Sequence, residues 1–192
     1  MRIVAGRHRG RNLAAPRGRA TRPTAARARE GLFNILAHGG FGADGGSAID
    51  GARVLDAFAG TGAFAFEALS RGAASATLLD LDENAVEAAR ANARALGETG
   101  STHIFRMDAV RPRAAHGVHD LVFLDPPYGL KLGSRALLAL GAKGWIEKDA
   151  LVIIEIGAKE DFTPPAGFEA ISERNFGAAR FVLMRFCGNP GA

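Results

Sequence analysis

Val54-Leu55-Asp56-Ala57-Phe58-Ala59-Gly60-Thr61-Gly62-Ala63-Phe64-Ala65-Phe66 is the stretch on which the fold turns. Val54 to Phe58 is a short apolar run of strand length, and Phe64, Phe66 and Leu69 carry a helix that stops near Gly72. Between them, Gly60 and Gly62 form a turn in which the backbone can approach a ligand closely while the first amides of the helix face it. Strand, glycine turn and helix in this order make one unit of a doubly wound sheet. The turn alone is a common pattern. Gly60-Thr61-Gly62-Ala63-Phe64-Ala65 also satisfies the dinucleotide fingerprint G-x-G-x-x-G/A.

Downstream, strands and helices alternate. Ala76 to Leu81 reads as a second strand, Asp82 is placed to cap a helix whose Val86, Ala89, Ala93 and Leu96 share one face, and Gly97 is placed to end it. His103 to Met107 and Leu121 to Leu124 read as a third and a fourth strand, and Leu132 to Ala142 as a helix. Leu151 to Ile156 is a fifth strand without alternation, as expected when both faces are covered. Phe168 to Asn175 and Arg180 to Phe186 read as a closing pair with a turn at Gly177. The expected architecture is α/β: a mostly parallel seven-stranded sheet with helices on both faces.

Upstream the sequence changes character. Arg2-Ile3-Val4-Ala5-Gly6 and Arg7-His8-Arg9-Gly10-Arg11 read as a basic strand or loop punctuated by glycine. A helix is expected from Thr24, which can cap it with Pro23 just outside; Ala28, Leu32, Ile35 and Leu36 then share a face, leaving Arg27 and Arg29 elsewhere. The division that follows is a basic N-terminal extension over 1–40, a glycine-rich connection over 41–51 and a core domain over 52–192. Residues 1–30 hold nine arginines and one acid, Glu30, for +8, while the remainder holds 15 basic and 19 acidic residues, for −4. A basic arm on a mildly acidic body suits a polyanion, most simply a nucleic acid. With 20 Arg to 4 Lys, arginine is this chain's habitual cation, so the clustering carries that inference.

At 192 residues with 47% hydrophobic composition, the chain supports one well-buried core. No apolar stretch approaches the roughly 18 to 20 residues that a bilayer crossing needs, and Met1-Arg2-Ile3-Val4 leads into arginines rather than a signal-peptide core. A cytoplasmic protein without membrane contact is expected. The single cysteine, Cys187, excludes an internal disulfide and a multi-cysteine metal site, and is expected as a small core residue. The five histidines, at 8, 38, 103, 116 and 119, are dispersed and expected on the surface or in loops, with no metal site.

Chemistry gathers at the strand ends. About 20 residues after the glycine turn comes Leu79-Asp80-Leu81-Asp82, where a carboxylate can take both ribose hydroxyls of a nucleoside. Asp108-Ala109 closes the third strand, and Asp108 can meet an adenine amino group. The expected nucleoside pocket therefore comprises Asp56, Ala57, Phe58, Gly60, Thr61, Gly62, Asp80, Leu81, Asp108 and Ala109. Asp56 would repel a pyrophosphate and suits an ammonium or sulfonium ligand better. Finally, Asp125-Pro126-Pro127-Tyr128 follows the apolar Leu121-Val122-Phe123-Leu124. A carboxylate, a rigid turn and an aromatic ring at a strand end make a clamp for a planar amine, although the same residues also make an ordinary turn. A dehydrogenase gives no reason for them.

Together these motifs resemble the S-adenosylmethionine-dependent methyltransferases and, more narrowly, the RsmD family, which methylates a guanine 2-amino group in small-subunit 16S ribosomal RNA. The general motifs are Asp56 to Gly62, Asp80 and Asp125 to Tyr128. The narrower signature is Arg22-Pro23-Thr24 with Arg27, Arg29-Glu30 and Leu32-Phe33-Asn34, after an arginine-rich opening with Gly6 and Gly10. The resemblance runs nearly end to end. It departs at Ala25 and Ala26, where the family favours small polar and acidic residues, and at Phe176-Gly177-Ala178, which lacks the family's basic residue. It implies a Rossmann-like class I methyltransferase fold with a short basic N-terminal extension, and S-adenosylmethionine as cofactor. It implies a catalytic set of Asp125, Pro126, Pro127 and Tyr128, with the amine on Asp125 and the Pro126 carbonyl and the base stacked on Tyr128. Arg7, Arg9, Arg11, Arg22 and Arg29 are implied as RNA-binding residues, and ribosomal RNA or the assembled small subunit as partner of a metal-free monomer. The rivals are a DNA adenine or cytosine amino methyltransferase, for whose target-recognition region 192 residues leave little room, a non-catalytic RNA-binding factor, and an NAD-dependent enzyme.

Overall fold

The computed structural model describes residues 1–15, 23–42, 44–127 and 131–189, with the backbone alone for 23–25. Tyr128 and Arg22 lie outside the described residues. The elements run α1 (Pro23–His38), β1 (Arg53–Ala57), α2 (Ala63–Ser70), β2 (Ser75–Asp80), α3 (Glu83–Leu96), β3 (Thr102–Arg106), β4 (His119–Leu124), α4 (Leu132–Ala142), β5 (Ile146–Gly157), β6 (Phe168–Phe176) and β7 (Ala179–Phe186). The seven strands form one sheet in the order β3-β2-β1-β4-β5-β7-β6. The first five are parallel, and β7 runs antiparallel between β5 and β6. This is the Rossmann-like methyltransferase layout, and its strand order reverses between β1 and β4. Such a switch point opens a crevice at the carboxyl ends of the strands.

Local chemistry explains the boundaries. The Asp82 side chain accepts from the Asn84 amide and caps α3, and Gly97, left-handed at φ 75, ends that helix with its amide on Ala93 and Arg94 carbonyls. Helix α1 starts at Pro23, so Thr24 is inside the helix and is not its cap. Proline suits the first turn because its φ is already helical and the amide it lacks would have no partner there. β5 begins five residues earlier than its apolar run because Glu147, Lys148 and Asp149 are strand residues on an exposed stretch.

The two faces of the sheet bury separate sets of side chains. Helices α1, α2 and α3 cover one, where the rings of Phe33, Phe64 and Phe123 form a triangle with centroids 5.1, 5.5 and 6.2 Å apart, and Phe181 of β7 meets Phe64 edge-on. Helix α4 covers the other through Ala136, Leu137 and Leu140. Each large side chain buried there contributes about 1.5–3 kcal/mol of transfer free energy. The N-terminal segment shares the first of these cores through Ile3 and Leu13, with Ala28, Leu32, Phe33 and Leu36 of α1. His119 departs from the expected surface role. It is buried on β4, its Nδ1 meets the Trp145 carbonyl and its Nε2 the Thr77 hydroxyl, each at 2.9 Å, and burial lowers its pKa. Cys187 is exposed rather than part of the core, because β7 ends at Phe186 and the chain leaves the sheet there.

A buried carboxylate holds the start of the arm. Glu67 on α2 is fully buried; it accepts from the amides of Val4 at 2.8 Å and Ala5 at 3.1 Å, and from Arg71 Nε at 2.7 Å. Ser70 adds a bond to the Ala5 carbonyl at 2.5 Å and accepts the His8 amide at 2.9 Å. Removing Glu67 strands two amides and a guanidinium together. Glu67→Ala is expected to lower stability by about 3 kcal/mol in urea unfolding and to expose residues 1–8 to limited proteolysis; an unchanged midpoint would show that the arm is held by its apolar contacts alone.

Candidate active site

Strand register builds the rim. Phe105, Leu79, Ala57, Leu124 and Ile154 pair in one row across β3, β2, β1, β4 and β5. The next residue on each strand therefore stands at the crevice: Arg106, Asp80, Phe58, Asp125 and Glu155. A cleft of about 1010 Å³ opens there, lined by Phe58, Asp80, Asp108 and Asp125 among others. Pro126 and Pro127 separate it from a smaller recess of about 260 Å³ that lies under the start of α4.

The turn after β1 is set by backbone conformation. Phe58, Gly60 and Gly62 take φ of 66°, 55° and 79°, all left-handed. For Phe58 that conformation costs about 1–2 kcal/mol, and its ring lines the cleft. At Gly62 space is closed as well, since a Cβ would lie 2.5 Å from Phe66 and 2.6 Å from Leu78. Asp80 fastens the turn to β2, its Oδ2 accepting from the Gly60 amide at 2.7 Å and its Oδ1 from the Asp82 amide at 2.9 Å. Asp108 shapes the next turn by accepting the Val110 amide at 2.9 Å.

Asp56 lies behind the turn, not on the cleft wall. It is 1% exposed, and its Oδ2 accepts the Ala65 amide at 3.0 Å. Gly62, the residue at the N-cap of α2, offers no side chain, so Asp56 satisfies that helix end from the neighbouring strand. Its Oδ1 has no hydrogen-bond partner among the described residues. Burial pushes the Asp56 carboxyl well above its ordinary value, and the nearby charges of Asp125 and Asp80 push the same way, against the Ala65 amide. A cation entering the cleft would relieve all three carboxylates.

The structure brings the expected residues together unevenly. Phe58, Asp80, Leu81, Asp108, Ala109, Asp125, Pro126 and Pro127 line the cleft. Asp56, Ala57, Gly60, Thr61 and Gly62 are not on its lining, although the Gly60 amide is bonded to Asp80, which is. Arg29 is a correction: expected toward RNA, it is 3% exposed and donates to the Arg2 carbonyl at 2.9 Å and the Met1 sulfur at 3.1 Å. Burial lowers its pKa while Glu67 and Glu155 support its charge. Arg7 pairs with Glu98 at 2.6 Å, Arg11 donates to the Ala95 carbonyl at 2.6 Å, and Arg9 is exposed. Sequence reading missed Met107, Arg111, Leu132, Arg135 and Glu155, all on the cleft wall. For Glu155 a signal existed, an acid inside the apolar run of β5 one row above Ile154.

A doubly wound sheet closed by an antiparallel β7, with acidic strand ends around a glycine turn, defines a class I Rossmann-like methyltransferase that uses S-adenosylmethionine. The chain belongs to the RsmD family: the family model described as conserved hypothetical protein 95 matches residues 1–185. It is 35% identical over 187 residues to ribosomal RNA small subunit methyltransferase D of Escherichia coli K12, covering 96% of this chain and 89% of that protein. It is 30% identical over 189 residues to the protein of the same name in Haemophilus influenzae, covering 96% and 93%. The solved structure of the yhhF protein of Escherichia coli superposes with a TM-score of 0.80 at 34% identity, covering 98% of this chain and 99% of that one. The cofactor fits the residues present, since the orphaned Oδ1 of Asp56 and the charges of Asp80 and Asp125 favour a ligand bearing ammonium and sulfonium groups. With S-adenosylmethionine as cofactor, the NAD-dependent reading falls.

Asp56 makes stability depend on pH. Its folded pKa is raised above the ordinary 3.8, so its contribution is complete below that value and is lost as pH rises through the folded pKa. In the absence of cofactor, Asp56→Asn keeps an acceptor for the Ala65 amide and removes the titration. Its urea midpoint is expected to gain on wild type as pH rises above about 4, with a slope approaching about 1.4 kcal/mol per pH unit. A constant difference between the two proteins would refute this reading of Asp56.

Proposed function

We propose that this methyltransferase modifies the exocyclic 2-amino group of a guanine in small-subunit 16S ribosomal RNA. The observation that carries the proposal is the position of Asp125 on the wall of the cofactor cleft, followed directly by Pro126 and Pro127, which line both that cleft and the second recess. The relatives named ribosomal RNA small subunit methyltransferase D support the choice of RNA.

The cofactor, bound in the larger cleft, supplies a methyl group on a cationic sulfur. Asp80 holds the ribose hydroxyls, Asp108 meets the adenine amino group, and Asp56 supplies negative charge behind the turn. An exocyclic amine is a poor nucleophile because its lone pair is delocalised into the ring. Asp125 and the Pro126 carbonyl accept its two hydrogens, which favours a pyramidal nitrogen with its lone pair directed away from both acceptors. Tyr128 stacks on the base and partly offsets the few kcal/mol that leaving the RNA stack costs. Asp125 takes the proton that the nitrogen loses on methylation, and alignment supplies most of the acceleration, without a strong base or a metal ion. Among the described residues no group of three or more His, Cys, Asp or Glu could hold a metal.

Arg7, Arg9, Arg11 and Arg22 bind phosphates on the RNA, and residues 1–40 act as the RNA-facing extension of a monomer. With so small an arm, the target is chosen by the shape of folded RNA or of the assembled subunit. The protein works in the cytoplasm; among the described residues no helix is long and apolar enough to cross a membrane.

Asp125→Ala is expected to weaken cofactor binding much less than Asp80→Ala does, while methyl transfer to unmodified small-subunit particles falls at least about 100-fold, the scale of lost positioning. Asp80→Ala weakens cofactor binding first. Near-normal turnover by the Asp125 variant, followed with radiolabelled cofactor and nucleoside analysis, would sink the assignment. Affinity for RNA should fall steeply between about 50 and 200 mM salt, with a log–log slope of roughly −3 for about four phosphate contacts; a flat profile would remove the arm from RNA binding.

A further inference from the structure

Beside the cofactor cleft lies a cavity that the roles assigned so far leave unused. It is bounded by Pro126 and Pro127, by Lys131 to Ser134 at the start of α4, by Ile154 and Glu155 on β5, and by Phe162 in the following loop. At about 260 Å³ it is just below the roughly 300 Å³ at which pockets for drug-sized ligands begin, a space for a single base. Pro127, Ile154 and Phe162 offer apolar walls to a flat ring. Pro126, Pro127, Leu132 and Glu155 line this recess and the cofactor cleft alike, so a ligand in one faces a ligand in the other.

Glu155 stands at that junction. Leu124 and Ile154 are register partners on adjacent strands, so Asp125 and Glu155, one residue further on, stand side by side at the rim. Adjacent strands are about 4.8 Å apart. Glu155 is half-buried, with Arg29 as an electrostatic partner on the α1 face. An amine seated on Asp125 therefore presents the neighbouring atom of its ring toward a second carboxylate.

We propose that the recess holds the target base and that Glu155 selects guanine by accepting a hydrogen bond from its ring N1–H. The proposal rests on the guanine 2-amino reading above and names the residue that enforces it. In guanine the ring position beside the 2-amino group is an N–H donor. In adenine and cytosine the ring nitrogen on the Watson–Crick edge beside the amine carries a lone pair, which a carboxylate repels. Two carboxylates on neighbouring strands thus read two neighbouring donors, a pattern that among the four bases only guanine offers beside its amine.

The test compares small-subunit RNA carrying guanine or 2-aminopurine at the modified position, with wild type, Glu155→Gln and Glu155→Asp. 2-Aminopurine keeps the reacting amine and replaces the N1–H by a lone pair. Wild type is expected to prefer guanine by on the order of 100-fold in kcat/KM, below the larger factors of fully buried sites. Glu155→Gln, whose amide can donate as well as accept, should bring that ratio to within a few-fold of one, while Glu155→Asp keeps the preference at reduced turnover. A Glu155→Gln protein that slows on both bases equally, with the ratio unmoved, overturns the role of Glu155 and leaves the proposed function standing. A wild-type enzyme that labels neither RNA overturns both.

Discussion

The bond from the Ala65 amide to a buried aspartate organises this molecule. Helix α2 begins at a glycine, whose lack of a side chain permits the left-handed turn and removes the usual cap. Asp56 on β1 supplies the missing acceptor, which locks the amino end of α2 to the strand it follows and fixes the loop between them. That loop then carries Phe58 into the cleft and offers the Gly60 amide to Asp80. The cost is a carboxylate kept out of water with one oxygen unpartnered among the described residues, close to Asp80 and Asp125. Charge frustration of this kind is tolerated where a cationic ligand resolves it, which is the electrostatic logic of a sulfonium site.

The basic arm is coupled to the same loop. Asn92 on α3 is buried, accepts the Ala14 amide at 2.8 Å, and donates to the carbonyls of Ala14 at 3.1 Å and Thr61 at 3.0 Å. One side chain therefore holds the end of the arm and the cofactor turn together. Glu67 and Ser70 fasten the beginning of the arm to α2, the helix that Asp56 positions. Arg29, turned inward onto the Arg2 carbonyl, serves this attachment and not an external anion.

Much of this was legible in advance because it depends on local chemistry. The strand–turn–helix of residues 54–69, the Asp82 cap, the Gly97 stop and the span of α4 follow from apolar periodicity and from residues whose side chains act within a turn of their own backbone. What was not legible depended on distant partners. His119 is indistinguishable in sequence from a surface histidine until Thr77 and Trp145 meet it from other elements. Cys187 reads as a strand residue until the end of β7 is known. Arg29 belongs to a cluster of cations, and only packing shows that this one is buried. β5 extends back through charged residues to Ile146, which pairs with His119 across an irregularity in the β4 register, a pairing that apolar periodicity on β5 does not reveal.

By itself the sequence determined the elements, the order in which they alternate, and which strand ends carry carboxylates, since each of these is set within a few residues along the chain. Tertiary structure decided which of those carboxylates share a space. The parallel register that levels Leu79, Ala57, Leu124 and Ile154 is a property of five strands together, and it alone sets Asp80, Asp125 and Glu155 on one rim while leaving Asp56 behind it. Hydrogen bonding between strands is indifferent to side-chain identity, so no residue on any single strand announces its neighbour across the sheet.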